Sequence, residues 1–168
     1  MTDDHKILYE DRYFRVVGGD EDSRFISSDR AALCVPLTPD NDVILISEFS
    51  PAFGKRILTL PSGSVDADEE PHVAANRELQ EEIGYRARQM DFLGRLYPWG
   101  KYLDVTIDIF LGRSLVRSAL KGDEGETIPQ GRVAVARFEE LIHQGRLHDS
   151  TAIAALYLTQ DFLAREMG

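Results

Sequence analysis

The chain has 168 residues, one cysteine, and 29 acidic against 19 basic residues, for a net charge of −10. That length suits a single domain with one substantial core, and the acidic balance argues against a nucleic-acid surface, because phosphate backbones need Lys and Arg patches. A lone cysteine excludes an internal disulfide and fits a reducing compartment, while no apolar run approaches the roughly 20 residues that span a bilayer.

The N-terminus MTDDHKILYEDRY lacks a signal-peptide pattern, so a cytoplasmic protein without a membrane partner is expected. Residues 6–28 read as short strands broken by the turn-rich GGDEDS. Ala31–Pro36 and 43–49 are apolar runs joined by TPDND, which predicts a hairpin. Cys34, inside AALCVPL, is expected to be a buried strand thiol rather than a nucleophile. A short strand over 56–60 leads into Pro61-Ser62-Gly63 and then into an acidic helix. Strands follow at 91–97 and 103–111, the second alternating in part through Val105, Ile107 and Ile109. Residues 122–130 form an acidic loop, 132–136 a strand, and 138–144 a short helix ended by Gly145. A longer helix over 151–162 carries Ile153, Leu156, Tyr157 and Leu163 at helical intervals. His5, His72, His143 and His148 show no ligand spacing and read as surface or cap residues. There is no repeat, linker or low-complexity tract. Strands mixed with three helices predict an α/β protein, an α/β/α sandwich around a mixed β-sheet.

The helical run, residues 63–85, reads GSVDADEEPHVAANRELQEEIGY. Gly63, Glu69 and the block Arg77-Glu78-Leu79-Gln80-Glu81-Glu82-Ile83-Gly84 stand at fixed offsets. On a helix Glu78 and Glu82 lie about 40° apart, with Glu81 about 60° to the other side, so three carboxylates share a stripe roughly 100° wide. Ala75, Leu79 and Ile83 form another stripe that can face a core. Like charges at i, i+4 weaken a helix, so the stripe is best explained by a multivalent cation that neutralises it. Hard carboxylate oxygens without histidine or cysteine disfavour zinc and suit Mg2+, with Mn2+ as a substitute. Pro71 fits the first turn, Asp68, Glu69 and Glu70 complement its positive end, and Gly84 fits the position just past its close.

Residues 63–85 resemble the signature of the Nudix hydrolases, G-x5-E-x7-R-E-U-x-E-E-x-G-U with U a bulky aliphatic, and only Tyr85 departs from it. The resemblance implies the Nudix fold in a single domain, 1–168, with N-terminal strands in 1–28 and a catalytic core over 30–168. It also implies metal-assisted attack of water on a diphosphate. Glu78 and Glu82 would be the main metal ligands, with Glu81 on a second ion or acting through water. The Ser62 carbonyl would be a backbone ligand, and Arg77 would orient a glutamate such as Glu69. Gly63 would support these ligands from behind.

Further segments, LGRLYPWGKYLDVTIDIFLGRSL, LKGDEGETIP and HDSTAIAALYLTQDFL, resemble the ADP-ribose and ADP-compound hydrolase branch of that family. This implies a nucleotide substrate (ADP-ribose, diadenosine polyphosphates or NADH) cleaved to release AMP, and a homodimer. Many ADP-ribose enzymes carry an arginine after the second core strand, where this chain has Glu48-Phe49-Ser50, which favours broader ADP-compound specificity. Tyr102 stands about where dinucleoside-polyphosphate hydrolases carry a tyrosine that could stack on adenine. Trp99 and Tyr97 are alternatives in the same loop, and Arg56 is a further candidate substrate contact. In KGDEGET, Glu124 is the expected general base, with Glu126 as its rival. Two other readings stay open: another nucleoside diphosphate derivative such as GDP-mannose, and a non-catalytic nucleotide sensor, although sensors usually lose the glutamates kept here.

Overall fold

Strands buried on both faces read as continuous apolar runs, and those runs build the centre of the molecule. A computed structural model describes residues 6–19, 24–121 and 130–168. In chain order it contains β1 (Lys6–Glu10), β2 (Arg15–Gly18), β3 (Phe25–Ser27), β4 (Ala31–Pro36), β5 (Asp42–Ser50), β6 (Lys55–Thr59) and β7 (Ser62–Ser64). Helix α1 (Pro71–Ile83) is followed by β8 (Tyr85–Leu96), β9 (Leu103–Asp104), β10 (Ile107–Arg117) and β11 (Gln130–Ala134). A 3₁₀ turn, Val135–Arg137, leads into α2 (Glu139–His143) and α3 (Ser150–Glu166). None of the described helices is long and apolar enough to cross a membrane.

The central sheet runs β7-β4-β10-β8, parallel between β4 and β10 and antiparallel elsewhere. Beside it lie an antiparallel sheet, β11-β5-β6, and an N-terminal sheet, β1-β2-β3-β9. Alternation along the buried strands divides the core in two. Ala32 and Cys34 of β4, Ile44 and Ile46 of β5, and Phe110 of β10 pack under α1 with Ala74, Ala75, Leu79 and Ile83. Leu33, Val35, Val43, Leu45, Ile109 and Leu111 face the other way, towards Phe138 and the α3 residues Ala152, Ala155 and Leu156. Helices therefore cover both faces of mixed sheet, the expected α/β/α sandwich. Cys34 is fully buried, and burial pushes its thiol up to about 12, so it is inert as expected.

Several boundaries differ from the sequence reading. The TPDND turn closes, with Thr38 N–H donating to the Asp42 carbonyl at 2.8 Å and Leu37 bridging Val43. Beyond it β4 and β5 part company, because β7 and β10 already take both edges of β4. β8 starts at Tyr85 rather than 91 and pairs along β10 down to Arg117. Its first turn of sequence, YRARQ, buries only Ala87, so no apolar run announced it. The single strand read over 103–111 is two: β9 pairs with β3 in the N-terminal sheet, and β10 begins at Ile107. β11 ends at Ala134, where the backbone tightens into the 3₁₀ turn.

Candidate active site

Helix α1 forms where the sequence punctuates it. Glu70 caps it with extended backbone and no side-chain bond, Pro71 opens it, and the acidic residues stand just before the first turn, which itself holds none. Gly84, at φ 72°, closes it by donating its N–H to the Gln80 and Leu79 carbonyls, a left-handed conformation that favours glycine. With Leu79 and Ile83 buried, the helix has no freedom to roll, and Glu78 faces β7.

β7 lays Ser62, Gly63 and Ser64 beside Leu33, Ala32 and Ala31 of β4. The Glu78 carboxylate lies so close to Gly63 that a methyl group there would collide with it. Arg77 gathers the rest of the cluster. Its Nε and Nη2 donate to the two oxygens of Glu69 at 3.1 and 3.0 Å, a two-pronged fork. Nη1 donates to Glu78 at 2.6 Å and to Glu81 at 3.4 Å, and Nη2 also donates to the Ser64 carbonyl at 2.9 Å. Glu69 is held below the usual carboxylate range chiefly by the Arg77 hydrogen bond. Glu78 is pushed above it, first by burial and then by Glu81 and Glu69, with Arg77 opposing.

Among the described residues, no three acidic, histidine or cysteine side chains are placed as they stand to hold a metal ion. Arg77 lies among Glu69, Glu78 and Glu81 instead. The residues nonetheless fit a hard divalent cation in chemistry and position. They offer carboxylate oxygens only, the charge on Glu78 is disfavoured as it stands, and the missing Cβ of Gly63 is what lets the Glu78 carboxylate sit against β7.

Of the other expected site residues, Glu82 sits one turn beyond Glu78 on the same helix, and Ser62 precedes Gly63 on β7. Trp99 and Tyr102 form an edge-to-face pair 5.4 Å apart in the β8–β9 connection, Trp99 exposed and at φ 50°. Tyr102, but not Trp99, lines a pocket of about 340 Å³ with Phe25, Tyr97 and Asp104, next to the N-terminal sheet rather than in the glutamate cluster. Arg56, on β6, donates to the Ser47 carbonyl at 2.6 Å within its own sheet. Glu124 and Glu126 lie outside the described residues.

Sequence reasoning missed two arrangements. Asn76 pairs with the backbone of Ala87 through both amide atoms, each at 2.9 Å, and so fastens α1 to β8. Asp108, 3% exposed, takes a fork from Arg95 at 2.6 and 2.9 Å and a third bond from Arg30 at 3.3 Å. The signal in the sequence was a lone aspartate inside VTIDIFL, but only the β8–β10 register reveals its partners.

Residues 27–156 match the NUDIX domain family, so the chain belongs to the Nudix family and is an enzyme of its pyrophosphatase class. It is 32% identical over 133 residues to the ADP compounds hydrolase NudE of Escherichia coli (strain K12), covering 79% of this chain and 71% of that one. It is 27% identical over 131 residues to the ADP-ribose pyrophosphatase of Bacillus subtilis (strain 168), covering 76% and 71%. A crystal structure of an ADP compounds hydrolase superposes with a TM-score of 0.82 at 27% identity, covering 96% of this chain and 92% of that one.

Proposed function

We propose that this protein hydrolyses the diphosphate bond of ADP-linked compounds, ADP-ribose, diadenosine polyphosphates and NADH among them, with Mg2+ and with release of AMP. The observation that carries the reading is the cluster built on Gly63: Glu78 seated against the missing Cβ, and Arg77 forked onto Glu69 while reaching Glu78 and Glu81. When bound, a divalent ion would neutralise phosphate charge and acidify the attacking water. Glu78, Glu82 and Glu81, with the Ser62 carbonyl, would hold that ion. Arg77 fixes Glu69 and the Ser64 carbonyl, and so keeps β7 and α1 in register without touching substrate. The glutamates of α1 would then be committed as ligands, and Glu124 would accept the proton from water. Trp99 or Tyr102 would stack on the adenine, and Arg56 is a further candidate contact from β6. The whole chain, 1–168, would act as one domain, in a cytoplasmic homodimer that shares its N-terminal strands.

The test is a panel of nucleoside diphosphate derivatives incubated with the protein and Mg2+, with products identified by mass. AMP from the ADP-linked members is expected. Turnover of GDP-mannose alone would move the enzyme to another substrate, and no turnover of any member would reject catalysis.

A further inference from the structure

We propose that Arg30 and Arg95 form a phosphoryl-binding subsite for the nucleoside half of the substrate, set on the same sheet face as the glutamate cluster. This deepens the function proposed above and rests on it. The placement follows from register. Gly63, Ala32 and Asp108 are partners across β7, β4 and β10, and Arg95 is the partner of Asp108 on β8. Ala32 and Phe110 both pack under α1, so alternation puts Asp108 and Arg30 on that face as well. Two strand spacings, about 10 Å, separate the row position of Gly63 from that of Asp108. Arg30 is also tied to the cluster through its backbone: its carbonyl accepts from Val65 N–H at 2.8 Å, one residue past the Ser64 carbonyl that Arg77 holds.

The two guanidiniums have the properties of a recognition pair rather than of a surface staple. Their shared anchor, Asp108, has a side chain only 4% exposed, while Arg30 and Arg95 are 53% and 44% exposed. Both line a cavity of about 490 Å³ with Ser28, Asp104 and Thr106. Asp108 fixes one side of each fork and leaves further N–H donors for the cavity, which suits the several oxygens of a phosphoryl group. Asp104 is common to this cavity and to the aromatic pocket of Tyr97 and Tyr102. A carboxylate at that junction can accept from ribose hydroxyls. Cations, acid and rings thus follow the order phosphate, ribose, base, leading away from the glutamates.

The experiment measures metal-free binding of AMP, and of adenosine as the uncharged control, by titration calorimetry. Arg95→Gln strips a near-buried carboxylate of its fork and threatens folding, so Arg30→Gln, which leaves the Arg95–Asp108 fork intact, carries the decision. Arg165→Gln, near the end of α3, controls for loss of one positive charge. The expected result is an affinity for AMP about tenfold weaker in Arg30→Gln, about 1.4 kcal/mol. Arg165→Gln should match wild type, and adenosine binding should be unchanged throughout. With ADP-ribose and Mg2+, Arg30→Gln should raise KM about as much while kcat holds. AMP affinity within twofold of wild type in a folded Arg30→Gln, or wild-type protein that prefers adenosine to AMP, overturns the subsite. AMP binding that depends on Arg30 in a protein that cleaves no ADP compound would overturn the function and leave the phosphoryl site standing.

Discussion

At Gly63 a single methyl group decides whether Glu78 can stay where it is. Gly63→Ala places a Cβ inside the Glu78 carboxylate, so the side chain must leave or β7 must shift. Loss of at least tenfold in kcat is expected, about 1.4 kcal/mol, with a folded protein by circular dichroism; an alanine variant of wild-type activity would contradict the assigned geometry. Glu82→Gln keeps the size of the side chain but removes a charge. It should lower kcat more than tenfold and weaken Mn2+ binding followed by electron paramagnetic resonance. The apo protein should melt no lower than wild type, because repulsion along the glutamate stripe is relieved. Retention of more than about a tenth of kcat would reject Glu82 as a primary ligand.

Among the elements, α1 is legible in the sequence because its residues obey several local rules at once: Pro71 opens it, Gly84 closes it, and Leu79 and Ile83 bury one side. β8 is half hidden there because its first residues are polar and owe their strand to pairing with β10 over a long sequence separation. The same cause hides Asn76, whose partner lies across an element boundary. Asn76→Ala removes both amide bonds and leaves the Ala87 backbone groups unmatched, a cost of about 1–3 kcal/mol. A lowering of Tm by roughly 2–4 °C per kcal/mol is expected from calorimetry; an unchanged Tm would show that the pair contributes nothing.

Asp108 ties β10 to β8 and to the residue before β4, faced by Arg95 and Arg30, with Asp104 nearby. Its carboxyl is held below the usual value of 3.8, chiefly by the Arg95 hydrogen bond and against the effect of burial. A depressed folded-state pKa stabilises above the unfolded value and loses that contribution as pH falls through the folded one. The Tm gap between wild type and Asp108→Asn should therefore be full above about pH 5 and close as the pH drops towards 3. A gap constant over that range would show that the ion pairs do not set the stability of this junction.

At the scale of the molecule, the sandwich and its acidic helix are readable because the core strands are apolar on both faces and the glutamate spacing is local. The route from that helix to the aromatic loop is not, because it depends on which strands lie side by side. The N-terminal sheet leaves Ile7, Leu8, Tyr9 and Tyr13 more than half exposed, an apolar surface of the kind that marks interfaces. If it is the homodimer surface, Ile7→Asp with Tyr9→Asp should convert a dimer into a monomer by analytical ultracentrifugation. A wild-type protein already monomeric at micromolar concentration would refute that assembly.

The central claim is water attack at a diphosphate, directed by the glutamates of α1. ADP-ribose turned over with Mg2+ in oxygen-18 water tests it most directly, with a chelator as control. The expected products are AMP and a sugar phosphate, one carrying a single oxygen-18 on phosphorus, with no turnover in the presence of the chelator. Release of inorganic phosphate, or products without label on either phosphate, would contradict it.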